Sequence, residues 1–274
     1  MAAIISGRSV GLKVAALAVS AAGLCTSGAV AQEGTVQASA VVTVMAKGGT
    51  AAPNLTQKDL KVTANEKPVQ VTSVTPLRGE RSGLELVVLI DDSARSRLGE
   101  QIPDLKKFVN SLPPQTEVGV AYMQNGRAAM TQNLTADHSL AAKAFRLPQG
   151  MPGGNASPYF CLSDLAKHWP SNNPEVRREV LMVTDGADEY GGARFDPENP
   201  YVLAAIADSQ RARLIVHSIF YRDAGDGPLG EFSGQDYLLM VARATGGRSY
   251  YQMNGSPVSF APYLDELHTR LMNQ

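Results

Sequence analysis

From residue 84 onward the apolar positions follow two alternating rhythms. Residues 84–90 form an apolar run interrupted only by Glu85, as expected of a strand covered on both faces. Leu105, Phe108, Val109 and Leu112 follow at i, i+3, i+4 and i+7, which predicts a helix with one apolar face. The stretch EVGVAYM predicts the next strand. Tyr159, Leu162, Ala166 and Trp169 predict a helix halted by Pro170. EVLMVTD then reads as a strand, 200–211 as a helix and RLIVHSIFY as a strand. Tyr237, Met240, Val241 and Ala244 mark a helix closed by Gly246 and Gly247. RSYYQM is a last short strand, and Leu264, Leu267 and Leu271 line a final helix. Strict alternation predicts an α/β fold: a doubly wound, mostly parallel, Rossmann-like central sheet with helices on both faces. Ligands of such sheets sit beyond the carboxyl ends of the strands.

Before residue 84 the rhythm is different. VQASAVVTVMA alternates at a β period, KGGTAAPN reads as a turn, and LKVTANEKPVQVTSVTPL predicts two strands around Asn65, Glu66 and Lys67. Residues 32–80 are therefore expected to form a small β-rich segment. It is too short to bury a core alone, so it should pack on the unit at 81–274. Residues 1–31 read differently again. Arg8 and Lys13 precede an alanine-rich apolar run at 14–24 that is too short to span a bilayer as a helix. The small-x-small pattern Ala29-Val30-Ala31 follows. This predicts a secretory signal peptide cut after Ala31, an exported product in the periplasm or outside the cell, and no transmembrane segment after cleavage.

Composition narrows the picture. The chain has 274 residues, 44% hydrophobic and 19% charged, enough for one large core. Removing Arg8 and Lys13 from the 25 basic side chains leaves 23 against 26 acidic ones. No basic surface for nucleic acid is expected. Cleavage also removes Cys25, so Cys161 becomes the single thiol and no intrachain disulfide can form.

Two strands end in acid. The first ends VVLID at Asp91, with Asp92 and Ser93 next; another ends LMVTDG at Asp185, with Asp188 and Glu189 close behind. If these strands are neighbours, Asp91 and Asp185 share one rim. Converging hard oxygens there suit a Mg²⁺-type cation, whereas either aspartate alone would more often cap a turn or helix.

At these residues the sequence resembles the von Willebrand factor A-type domain. VVLIDDSAR followed by VLMVTDG looks like that family's metal-ion-dependent adhesion site, built from Asp-x-Ser-x-Ser, a mid-loop threonine and a later aspartate. LTQKDLKVTANEKPVQVTSV looks like the β segment that precedes the A domain in a secreted bacterial subset. The resemblance implies that Asp91, Ser93 and Asp185 stand at ligand positions. It also implies that the rim binds a protein or peptide partner. The third position departs from the pattern, being Arg95, and Ser157, with Asn155 next, is the best stand-in for the threonine. A guanidinium has five donors and no lone pair for a metal. Arg95 is therefore expected to fold back on Asp91 or Asp185 and replace the cation, with Arg95 or Arg97 offering positive charge to a partner. No cofactor is then expected. The alternative is a metal-competent domain holding Mg²⁺ or Mn²⁺ weakly through Asp91, Ser93 and Asp185.

A second alternative, an envelope hydrolase using the Asp91 and Asp185 rim, finds little support. AYMQNGRAAMTQNL lacks the phospho-accepting aspartate of a response-regulator receiver, and Ser93 stands where a haloacid dehalogenase needs its second aspartate. There is no Gly-x-Ser-x-Gly elbow and no His-Glu-x-x-His. His217, between Ile215 and Ile219, reads as a satisfied core histidine, and Cys161 as a small buried hydrophobe.

Overall fold

The computed structural model describes residues 2–6, 17–18, 42, 44, 54–64, 67–76, 83–94, 96–150, 157–173, 176–188, 190, 194–221, 228–251 and 259–273. Two sheets are present. The smaller is antiparallel and contains β1 (Ala2–Ser6), β2 (Leu17–Ala18), β3 (Lys61–Ala64) and β4 (Lys67–Val69), in the order β2-β1-β3-β4. β3 and β4 pair antiparallel where two strands were expected, with Ala64 opposite Lys67. None of the described residues in 54–76 is buried, and Val69 is 43% exposed, so this segment keeps no closed core of its own. β1 and β2 lie in the stretch read as a leader; cleavage after Ala31 would leave β3 and β4 as a pair. Apart from Val42 and Val44, the strand expected over 36–46 lies outside the described residues.

The larger sheet has six strands: β5 (Leu84–Asp91), β6 (Thr116–Gln124), β7 (Arg127–Thr135), β8 (Arg177–Thr184), β9 (Leu214–Phe220) and β10 (Ser249–Tyr250). Their order is β10-β9-β8-β5-β6-β7, and every pairing is parallel except β6 with β7. Around it lie α1 (Ile102–Ser111), α2 (His138–Lys143), α3 (Pro158–Lys167), α4 (Pro200–Arg211), α5 (Pro228–Thr245) and α6 (Ala261–Asn273).

The apolar run of β5 from Leu86 to Ile90 is explained by two separate cores. Leu86, Val88 and Ile90 pack on one face with Leu105, Phe108 and Leu264, from α1 and α6. Val87 and Leu89 pack on the other with Tyr159, Val202 and Tyr237, from α3, α4 and α5. The expected doubly wound sheet is thus present. It departs from strict alternation at one edge, where β7 turns back antiparallel on β6. Asn125 and Gly126, at φ 49° and 74°, supply the two left-handed residues of a tight hairpin. No helix among the described residues is long and apolar enough to cross a membrane.

Candidate functional site

β5 and β8 are adjacent, parallel and in register from Leu84 opposite Arg177 to Ile90 opposite Val183. Both therefore run out at the same height, and the central crevice of the sheet opens between Asp91 and Thr184. Asp91 is half-buried and is held by hydroxyls. Its Oδ1 accepts from the Ser93 backbone N–H at 2.9 Å and the Ser93 hydroxyl at 2.6 Å, and its Oδ2 accepts from the Thr184 hydroxyl at 2.8 Å. Burial pushes the Asp91 carboxyl above its ordinary pKa against the pull of those hydrogen bonds, and the neighbouring Asp92 adds to the rise.

Asp92 is treated in the opposite way. It is buried, and its Oδ1 accepts from Arg146 Nη1 at 2.6 Å and the Gln149 N–H at 2.9 Å. Its Oδ2 accepts from Gln124 Nε2 at 2.5 Å and Arg146 Nη2 at 3.1 Å. Burial alone would raise its pKa, but the Arg146, Gln124 and Gln149 donors outweigh it and hold the carboxyl below the ordinary range. Arg146 is fixed in turn: its guanidinium lies 3.8 Å over the Tyr122 ring, and the Tyr122 hydroxyl donates to its carbonyl at 2.7 Å. The Asp92 carbonyl accepts from Gly150 N–H at 2.8 Å, and a Cβ on Gly150 would lie 2.7 Å from that oxygen. The loop after α2 is therefore pinned to the strand end through Asp92.

Asp185 follows Thr184 on the same rim. Its Oδ1 accepts from the Ala187 N–H at 2.9 Å, turning the chain toward Gly186. Gly186 has φ 70° and meets Gly234 of α5, where an added Cβ would lie 2.6 Å from the Gly234 carbonyl oxygen. The Tyr159 hydroxyl donates to the Gly186 carbonyl at 2.8 Å, which bolts the first turn of α3 to this loop. Asp188 is buried, with Oδ2 accepting from Asn199 Nδ2 at 2.7 Å.

Of the residues the sequence singled out, the structure brings Asp91 and Ser93 into direct contact and places Asp185 just past the end of the neighbouring strand, one residue after Thr184, which reaches Asp91. Ser157 is fully buried and caps α3, its Oγ accepting from the Tyr159 N–H at 3.3 Å. Arg95, Asn155 and Glu189 lie outside the described residues, and Arg97 falls in a 3₁₀ turn at Ser96–Gln101. The sequence reading missed Thr184, whose only signal was its place immediately before Asp185. It also missed Arg146, which had none, lying 54 residues from Asp92. Among the described residues no group of three or more His, Cys, Asp or Glu side chains is placed to hold a metal.

No family model and no curated protein sequence matches the chain. Solved structures do. Von Willebrand factor type A from Catenulispora acidiphila superposes with a TM-score of 0.52 at 15% identity, over 78% of this chain and 45% of that one. The fold is that of a von Willebrand factor A-type domain. The pilus adhesin SpaC of Lactobacillus rhamnosus GG matches this A-type fold with a TM-score of 0.51 at 12% identity, over 78% of this chain and 31% of the adhesin. An aerotolerance-related membrane protein of Bacteroides fragilis matches with a TM-score of 0.50 at 18% identity, over 70% of this chain and all of that one.

Proposed function

We propose that this chain is an exported, non-enzymatic A-type domain. Its carboxyl-end rim, with Asp91, Ser93, Arg95 and Asp185, would capture a protein or peptide partner, whereas Ser157, the expected stand-in for the family's threonine, is fully buried and serves the fold as the cap of α3. The observation that carries the reading is the state of Asp91. It is a half-buried carboxylate at the sheet's central crevice, satisfied by the hydroxyls of Ser93 and Thr184. Among the described residues, the pairing a hydrolase would need is not assembled around it. The four histidines are engaged elsewhere, with Thr116, Asp164, Glu179 and Ser111. Burial pushes the Cys161 thiol up to about 12, far from a reactive thiolate.

The rim fits a resident cation incompletely. Two carboxylates and two hydroxyls are hard oxygen donors of the right kind. The third serine of the adhesion pattern is Arg95, which brings a charge and no lone pair. In the proposed arrangement Arg95 or Arg97 supplies the positive charge that a partner's carboxylate meets, and the metal site is degenerate. Calorimetric titration of the purified protein with Mg²⁺ and Mn²⁺ is expected to show no micromolar binding, and Arg95→Ser is expected to create it. Micromolar binding by the unsubstituted chain would overturn the degenerate-site reading.

A further inference from the structure

On the face of the sheet covered by α1 and α6, three ionisable side chains lie within an otherwise apolar core. Glu179 and His217 are fully buried, and Arg177 is 7% exposed. The hydrogen bonds fix the state of His217. Its Nδ1 accepts from the Arg248 N–H at 3.0 Å, so the ring proton sits on Nε2 and is donated to Glu179 Oε2 at 2.7 Å. Arg177 Nη1 stands 3.6 Å from Glu179 Oε1, and its Nη2 donates to the Leu271 carbonyl at 3.0 Å. One arginine, one carboxylate and a neutral imidazole carry no net charge. The cluster also reaches two elements late in the chain, the approach to β10 through Arg248 and the last turn of α6 through Leu271. We infer that His217 is an acid-sensitive latch, whose protonation frees the approach to β10 from the sheet and loosens α6.

The reason is a conflict of donors. A second proton can enter the ring only at Nδ1, which turns the acceptor of the Arg248 N–H into a donor. Two N–H groups would then face each other across 3.0 Å. One net positive charge would also be left in a site closed to water. The surrounding groups offer no relief. On β8, Glu179 is already shared between His217 and Arg177. On β10, burial pushes the Tyr250 hydroxyl up to about 12, so it stays neutral. From α6, Glu266 lies 3.6 Å from Arg248 Nε at the surface, with both side chains more than half exposed, and Arg270 adds a further positive charge. His268 is engaged with the Ser111 carbonyl. β5 and α1 turn Leu84, Leu86, Val109 and Leu112 toward this core.

Moving Arg248 away removes the conflict and admits water to Nδ1. The local structure can yield in this way. β10 is two residues long, and its pairing with β9 sets only Ser249 opposite Ser218 and Tyr250 opposite Ile219. Beside the latch, the Ser218 N–H donates to the Arg248 carbonyl at 2.9 Å, and the Ser218 hydroxyl to that of Ser249 at 2.9 Å. The Arg248 side chain pairs with Glu266, so its displacement also draws on α6.

Hydrogen exchange of the full chain, corrected for the intrinsic pH dependence of amide exchange, tests the latch. As pH falls from about 7 to about 5, protection is expected to drop about tenfold at 248–250 and in the last turn of α6, and to hold in β5 and β6. His217→Gln cannot titrate, and its amide can still accept from Arg248 and donate to Glu179; it is expected to abolish the drop. His268→Gln, at an exposed position on α6, is expected to keep it. Nitrogen NMR of the His217 ring at neutral pH is expected to show the proton on Nε2. Unchanged protection at 248–250 would overturn the inference, as would an equal drop in β5 and β6, which marks global unfolding. So would a drop that persists in His217→Gln or vanishes in His268→Gln, or a ring proton found on Nδ1. If His217→Gln fails to fold, the unsubstituted chain and His268→Gln decide.

Discussion

The two ends of the central sheet neutralise their buried acids in different ways. At the amino end and along the neighbouring strand, full charges do the work. Glu85 faces Arg178, Asp208 is bracketed by Lys167 and Arg211, and Glu179 accepts from His217 Nε2 at 2.7 Å with Arg177 3.6 Å away. His217 Nδ1 accepts from the Arg248 N–H at 3.0 Å, which places the ring proton on Nε2, toward Glu179. At the carboxyl end Asp92 receives such treatment, from Arg146. Asp91, one residue away, receives hydroxyls. Cation-paired acids are committed to the fold, whereas a hydroxyl-held acid keeps its charge uncompensated by a described neighbour and can answer to something outside.

That contrast can be broken in order of effect. Glu179→Leu should cost most, about 3–5 kcal/mol in urea unfolding, because it removes the acceptor of the His217 N–H and the carboxylate facing Arg177 at a fully buried position. Asp92→Ala should cost about 2–3 kcal/mol, since it removes a buried acceptor of four hydrogen bonds and frees the loop at Gln149 and Gly150. Asp91→Asn should change stability at neutral pH by less than about 1 kcal/mol, because the amide oxygen still accepts from Ser93, the Thr184 hydroxyl can turn to accept from the new amide N–H, and the penalty of burying a charge disappears.

The pH dependences of the two neighbours should have opposite signs. The folded state lowers the Asp92 pKa, so its stabilisation is complete above the ordinary carboxylate value of 3.8 and is lost as pH falls through the depressed folded value. The folded state raises that of Asp91, so its cost is absent below 3.8 and grows as pH rises through the elevated folded value. Stability measured from pH 2 to 7 on Asp92→Asn should lose the acid-side decline contributed by that residue, and Asp91→Asn should become relatively more stable toward pH 7.

The sequence made the scaffold easier to read than the site. β5 and β8 were legible because burial on both faces demands unbroken apolar runs. α4 was legible because its start is written locally: Asn199 accepts from the Tyr201 and Val202 N–H groups at 2.9 and 3.2 Å, with Pro200 at the first helical position. β7 was not legible, although Asn125-Gly126 is a strong turn signal, because its strand is half-exposed throughout and lacks a clear apolar face. Within the site, Asp91 and Ser93 share one short motif and Asp185 ends another, each readable locally. The Arg146–Asp92 pair depends on a loop folding back across many residues, and no local pattern encodes that return.

The backbone contact between Gly186 and Gly234 has a mechanical meaning. Side chains between two elements act as padding, since a rotamer change absorbs small displacements. Here backbone meets backbone, with the Leu238 side chain packed beside the contact, and a Cβ on Gly234 would lie 2.1 Å from the Asp185 carbonyl oxygen. A load applied to Asp185 toward the helix must therefore move α5, all 18 residues of it, or be refused. The Tyr159 hydroxyl ties α3 into the same joint. The rim is thus stiff at Asp185, and a partner held there, as proposed above, would pull directly on the body of the domain.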